Sequence, residues 1–176
     1  MAVAGVEALK AKVRDVPDWP EKGIVFRDIM PLLADRDALR QTIDLLADWA
    51  QERRPDIVVG GEARGFFIGS AIAYKLGCGF VPARRPGKLP LETISVEYAL
   101  EYGRNTLELQ ADAFEGGARV LIHDDVLATG GTSKAMADLV EQLGGEVVGM
   151  AFLIELGFLK GRDQLSDYEL FSLIHY

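Results

Sequence analysis

The sequence predicts an α/β domain in which a mainly parallel central sheet is flanked by helices. Three observations carry that expectation. Short runs such as IVV (57–59), VLIH (120–123) and EVVGMAFLI (146–154) are apolar almost throughout, as in strands buried on both faces. Other segments repeat apolar residues at three- and four-residue steps, the spacing of amphipathic helices. The two kinds alternate along the chain, which favours parallel pairing through right-handed crossovers.

A chain of 176 residues suits one domain, 1–176, with a real core. Its composition, 49% hydrophobic and 26% charged, is that of an ordinary globular protein. No apolar run reaches membrane-spanning length, and MAVAGVEALKAK lacks a signal-peptide core, so no membrane partner and a cytoplasmic location are expected. The single cysteine, Cys78, leaves no internal disulfide. A net charge of -8 argues against a general nucleic-acid surface.

Taken in order, Val6, Leu9 and Val13 predict a short opening helix. Pro17 and Pro20 then break regular structure. Residues 23–35 (GIVFRDIMPLLAD) are apolar but interrupted by Gly23, Arg27, Asp28 and Pro31, which suits a packed connector, or an ordered loop or short strand covering a site. From Asp35 a helix follows Leu39, Ile43, Leu46 and Trp49 or Ala50. A strand at 57–59, a glycine-rich turn and a helix closing at Gly77 come next, then a strand at 79–83. RRPGKLP (84–90) is basic and full of backbone breakers, so an exposed, mobile loop is expected. TISVEYALEYGRNTLEL (93–109) has the β-branched and aromatic content of two strands, with a hairpin through Gly103. The strand at 120–123, a helix ending at Leu143, and strands at 146–154 and 168–174 complete the chain.

The chemistry concentrates at 119–143. The strand 120–123 delivers Asp124 and Asp125 to its carboxyl end, where ligands bind open α/β sheets. Gly130 and Gly131 let backbone approach a ligand, and Thr132 or Ser133 is expected to cap the following helix. Backbone amides and a helix N-terminus together suit an anion such as a phosphate monoester. The glycine spacing fits neither a Walker loop nor a dinucleotide fingerprint. Two carboxylates beside a phosphate cradle need partners of their own, and sugar hydroxyls donate to carboxylates. A phosphorylated pentose meets both demands in one ligand.

VLIHDDVLATGGT (120–132) resembles the phosphoribosyl-pyrophosphate signature of the type I phosphoribosyltransferases, in the form used by the branch acting on adenine. GIVFRDIMPLL (23–33), GGEARGFFIGSAIA (60–73), RRPGKLP (84–90), LEYG (100–103) and LKGRDQL (159–165) are similar to that branch in the same order. The resemblance implies a type I phosphoribosyltransferase fold with a mobile β-rich catalytic loop and a base-binding hood at 1–34. It also implies transfer of ribose phosphate from phosphoribosyl pyrophosphate to adenine, giving AMP and pyrophosphate in purine salvage. Mg²⁺ is the implied cofactor, carried mainly by the donor rather than by protein ligands, and the implied assembly is a homodimer.

By the same resemblance Asp124 and Asp125 hold the ribose hydroxyls, while Ala128, Thr129, Gly130, Gly131 and Thr132 wrap the 5′-phosphate. Glu62, Ala63 and Arg64 serve the pyrophosphate, with a cis peptide expected at Glu62–Ala63, and Arg84 and Lys88 join when the loop shuts. Glu101 matches the family's catalytic glutamate and Tyr102 its neighbour, although Glu97 and Tyr98 repeat the dipeptide. Val25, Phe26 and Arg27 are expected at the adenine, Phe26 by stacking and the other two by backbone. Leu127 is either an apolar wall for the base or plain packing, and His123 is taken as structural. Two alternatives accompany this: a phosphoribosyltransferase acting on another base, and a regulator of the same fold that binds nucleic acid.

Overall fold

The computed structural model describes residues 2–99 and 104–176. The chain folds as two compact units, residues 1–45 and 46–176.

The first unit begins with α1 (Ala2–Lys10), which buries Leu9. β1 (Arg14–Pro17) and β2 (Val25–Asp28) form an antiparallel pair with Asp15 opposite Arg27 and Pro17 opposite Val25. Pro17 does not break regular structure as the sequence suggests, and of the readings open for residues 23–35 the short strand holds at Val25–Asp28. Pro17 is the last residue of its strand, where its missing N–H costs no central ladder bond. The turn between the strands holds a cis Trp19–Pro20 bond, and the Asp18 carboxylate accepts the Gly23 N–H at 2.7 Å. A short helix unforeseen in the sequence, α2 (Met30–Ala34), takes Pro31 into its first turn, where an N–H would be orphaned anyway. α3 (Arg36–Gln51) is capped by the Asp35 carboxylate, which accepts from Asp37 and Ala38 N–H.

The second unit is built on a five-stranded parallel sheet in the order β4-β3-β7-β8-β9. Its strands are β3 (Ile57–Gly61), β4 (Gly79–Ala83), β7 (Arg119–Leu127), β8 (Glu146–Glu155) and β9 (Leu170–His175). α4 (Gly65–Leu76) links β3 to β4 and ends at Gly77, whose left-handed φ of 69° lets its N–H turn back to the last carbonyls. α5 (Gly131–Gln142) links β7 to β8. The hairpin β5 (Thr93–Ala99) and β6 (Arg104–Gln110) buries Leu107 and Leu109 in the same core as Val120, Ile122, Met136, Leu139 and Phe152. Each such side chain contributes roughly 1.5–3 kcal/mol through its burial.

Two differences bear on the site. β7 does not stop at His123 but runs to Leu127, so the carboxylates lie inside the strand. Pairing with β3 ends at Gly60 opposite His123, whereas pairing with β8 continues to Leu127 opposite Glu155. Asp124 and Asp125 therefore stand beyond the last β3 pair, with β8 still holding their backbone in line. Secondly, neither Thr132 nor Ser133 caps α5. The helix begins at Gly131, at least two residues earlier than either cap implies, with Gly130 in the capping position at φ 89° and no side-chain cap. Thr132 and Ser133 already belong to its first turn.

Candidate active site

The end of β7 opens onto a cavity of about 260 Å³ in the second unit. Glu62, Ala63 and Arg64 line it from the turn after β3, and Asp124, Asp125, Ala128 and Thr132 from the β7–α5 connection. Thr129, Gly130 and Gly131 line a smaller hollow of about 50 Å³ that shares Ala128 and Thr132 with the first. Three groups singled out in the sequence thus converge on one place.

Local sequence explains the convergence. A Cβ on Gly61 would stand 3.1 Å from Asp124 Oδ2, and one on Gly65 would stand 3.0 Å from Asp124 Oδ1. The glycines of GGEARG thereby leave room for that carboxylate. The Glu62–Ala63 peptide is cis, as expected. Arg64 occupies the capping position of α4, and its Nε lies 3.1 Å from Asp125 Oδ2.

The electrostatics follow from burial. Asp124 is pushed well above the ordinary carboxylate range by desolvation and then by the charge of Asp125. Asp125, 3% exposed, is also raised by burial, with Arg64 opposing. The pair therefore resists double ionisation until something cationic or hydrogen-bond-donating arrives. Glu62 behaves differently. Desolvation works to raise its carboxyl, but the Arg85 N–H at 3.0 Å and Arg84 Nε at 3.1 Å outweigh it and hold it below its ordinary value.

Not every expected residue reaches the cavity. Arg84 turns to Glu62, and its Nη1 donates to the Lys88 carbonyl at 3.3 Å, while the Lys88 side chain is exposed. Arg85 lines the cavity instead. Leu127 is 1% exposed and packed in the core, which favours the packing reading. Val25, Phe26 and Arg27 belong to the first unit, where Phe26 meets the Trp19 ring edge-on at 4.3 Å and Arg27 pairs with Asp15. Glu101 and Tyr102 lie outside the described residues. Glu97, the rival of Glu101, is exposed and pairs with Arg104 at 2.5 Å.

Sequence reasoning missed Tyr98 and Asn105, which line the cavity from the hairpin. Thr132 Oγ1 donates to the Tyr98 hydroxyl at 3.4 Å, a long contact between the hairpin and the glycine loop. Strand alternation carried a usable signal, since Tyr98 shares its side of β5 with the core-packed Ile94 and Val96. His123 is fully buried beneath the site, with its ring beside the position a Cβ on Gly69 would take. Burial lowers its pKa to about 4, the Ala151 backbone opposing, so it is neutral near pH 7.

Among the described residues, no group of three His, Cys, Asp or Glu side chains is placed to hold a metal ion, and no helix is long and apolar enough to cross a membrane.

Comparison with known proteins agrees with this geometry. Residues 32–175 match the phosphoribosyl transferase domain. An adenine phosphoribosyltransferase of Clostridium perfringens is 55% identical over 169 residues, covering 96% of this chain and 98% of its own. The crystal structure of adenine phosphoribosyltransferase from Thermoanaerobacter pseudethanolicus superposes with a TM-score of 0.95 at 51% identity, covering 97% of this chain and 99% of that one. The Saccharomyces cerevisiae enzyme, solved with an imino-altritol bisphosphate and adenine, gives a TM-score of 0.92 at 38% identity, covering 97% and 98%. The chain belongs to the phosphoribosyltransferase family, on its adenine phosphoribosyltransferase branch.

Proposed function

We propose that the protein transfers ribose 5-phosphate from phosphoribosyl pyrophosphate to adenine, giving AMP and pyrophosphate in purine salvage. The observation that carries this is the convergence of Glu62, Ala63 and Arg64 with Asp124, Asp125, Ala128 and Thr132 on one cavity, with Thr129, Gly130 and Gly131 lining the hollow that adjoins it. The yeast relative solved with adenine supports the choice of base.

In the proposed mechanism the 5′-phosphate sits against the backbone of residues 128–132 at the N-terminus of α5, where amides and helix dipole favour an anion. The ribose hydroxyls donate to Asp124 and Asp125, replacing the water those carboxylates lose. Arg64 and the Glu62–Ala63 backbone take the leaving pyrophosphate, a guanidinium fork suiting phosphate oxygens. Arg84 and Lys88 are added when the basic loop closes and excludes water from the cation-like ribose. Glu101, beside Tyr102, exchanges the proton at the imidazole edge of the purine. Val25, Phe26 and Arg27 recognise adenine, while Leu127 packs in the core. Val25 and Arg27, two residues apart on β2, direct their backbone groups to the same edge, as reading one base edge requires.

The site is also compatible with Mg²⁺ brought in by the donor, since the carboxylates of Asp124 and Asp125 beside it are hard oxygens of the kind that ion tolerates. Carried mainly by the donor, the ion would neutralise pyrophosphate charge. The proposal retains one domain, 1–176, with residues 1–34 as the base-binding hood, and a cytoplasmic location compatible with a single cysteine. It also includes a homodimer, supported by the α4 face, where Phe67 and Tyr74 are 52% and 90% exposed one heptad apart.

Purified protein with Mg²⁺ and phosphoribosyl pyrophosphate, offered adenine, hypoxanthine, xanthine, orotate and uracil in turn, tests the reading by pyrophosphate release. Adenine is expected to turn over fastest. Faster turnover of another base would reassign the substrate, and donor binding without any turnover would favour the regulator.

A further inference from the structure

The segment between β8 and β9 has no role in the reaction described so far. It forms two 3₁₀ turns, Gly157–Leu159 and Gly161–Leu165, and the second lies against the glycine loop after β7. The approach is backbone to backbone and reciprocal. A Cβ on Gly161 would stand 2.3 Å from the Ala128 carbonyl oxygen, and one on Gly130 would stand 2.5 Å from the Gly161 oxygen. Gly130 needs glycine for its φ of 89° as well. Gly161 does not have a positive φ, so it is proximity, above all of the Ala128 backbone and then of Leu127 Cδ1 at 2.9 Å, that demands glycine there.

Side chains hold the turn in place. Arg162, next to Gly161, pairs in bidentate fashion with Glu155, Nε to Oε1 and Nη2 to Oε2, each at 2.8 Å. Glu155 is 7% exposed at the end of β8 and stands in register with Leu127 of β7. Desolvation works to raise its carboxyl, but Arg162, Ser172 and His175 outweigh it and keep it charged. Leu165, fully buried in the core, anchors the far end of the turn. From the α5 side, the Tyr168 hydroxyl donates to Glu141 at 2.8 Å and Lys134 Nζ lies 3.4 Å from it. The turn is thus tied to β8, to the core and to α5, and its Gly161 approaches the loop at Ala128.

We propose that this turn, latched by Arg162 to Glu155, sets the conformation of residues 128–130, with Gly161 as a positioning residue for recognition of a phosphate monoester. A loop that cradles an anion with backbone amides has no side-chain geometry to restore it if it drifts. A rigid neighbour at van der Waals distance supplies that restoring force without touching the ligand. The inference rests on the reading of residues 128–132 as the 5′-phosphate loop.

Ribose 5-phosphate and magnesium pyrophosphate, titrated calorimetrically, address the two halves of the site separately. Wild-type protein is expected to bind both. In Gly161→Ala the loop must give way by on the order of 1 Å, a misplacement that can cost about a hundredfold. Ribose 5-phosphate is therefore expected to bind at least about tenfold more weakly, and pyrophosphate within about twofold of wild type. In steady state the KM for phosphoribosyl pyrophosphate rises while that for adenine holds. Glu155→Gln keeps the volume, breaks the charged latch and is expected to weaken ribose 5-phosphate selectively by about threefold or more. Unchanged ribose 5-phosphate affinity in both variants would overturn the proposal, as would equal loss of both ligands. If Gly161→Ala does not fold, Glu155→Gln decides alone by the same criterion. Failure of wild-type protein to bind ribose 5-phosphate would instead sink the loop assignment itself.

Discussion

Replacing Arg64 by Met removes the cation beside Asp125 while keeping an unbranched stem in the turn after β3. Arg64 Nε is 3.1 Å from Asp125 Oδ2, with side chains 36% and 4% exposed. Breaking a fully buried pair costs about 3–5 kcal/mol, whereas exposed pairs contribute about 0–1. The half-open guanidinium places Arg64→Met between them, at about 1–3 kcal/mol of destabilisation near pH 7. The sign of its pH dependence follows from linkage. Asp125 already titrates above its ordinary value, and Arg64 opposes that rise. Removing Arg64 raises it further, so the loss is present above the folded pKa of Asp125. It disappears as the pH falls through that pKa towards the ordinary value near 4, where both proteins carry a proton there. Loss of a charge-assisted fork to pyrophosphate should weaken that ligand by about 10- to 150-fold, from about 1.5–3 kcal/mol. Urea denaturation at pH 7.5 and pH 4.5 measures the first effect, and titration with magnesium pyrophosphate the second. Arg64→Met combined with Asp125→Asn should recover stability without recovering pyrophosphate affinity. Equal destabilisation at both pH values would show that Arg64 acts by packing rather than charge. Undiminished pyrophosphate binding would remove it from the site.

Three further outcomes are expected. Glu101→Gln should lower kcat by about 10²-fold or more, the ordinary share of a general acid–base, while Glu97→Gln stays near wild type; the reverse ranking would transfer the role to Glu97. His123 is neutral in the folded protein, so protonation of the unfolded chain costs stability as pH falls from about 6.5 towards about 4, by about 3 kcal/mol in all. His123→Leu should flatten that part of the urea-midpoint profile relative to wild type, and parallel profiles would contradict the burial argument. Phe67→Glu together with Tyr74→Glu should shift the sedimentation coefficient from dimer to monomer, and an unchanged assembly would place the interface elsewhere.

Much of this was legible because parallel strands and glycine loops leave strong local signals. The apolar runs of β3, β7 and β8, the glycine stop at Gly77 and the DD–GG order at 124–131 depend on neighbours in sequence. What escaped depends on neighbours in space. Nothing local distinguishes Pro17 as a strand terminus from Pro17 as a breaker, because only pairing with Val25 makes the difference. The extension of β7 to Leu127 comes from β8, and two aspartates inside a strand run against β propensity. Thr132 looked like a helix cap by composition, yet the helix starts earlier because Gly130 adopts a conformation that ends the loop sooner. Arg85 rather than Arg84 lines the cavity because Glu62 claims Arg84, a contact 22 residues away in the chain. The closeness of Gly161 to Ala128 had no sequence signal beyond one glycine in a polar loop.

The central claim is that Asp124 and Asp125 bind the ribose of the donor at the end of β7. Phosphoribosyl pyrophosphate with Mg²⁺, titrated into wild-type protein and into Asp124→Asn/Asp125→Asn, tests it most directly. Both substitutions preserve volume, and relief of the buried repulsion offsets loss of the Arg64 pair, so the variant should remain folded near pH 7. Its donor affinity should fall by about a hundredfold or more, as expected when ribose hydroxyl donors lose their charged acceptors. A folded variant that binds the donor as tightly as wild type would contradict the account.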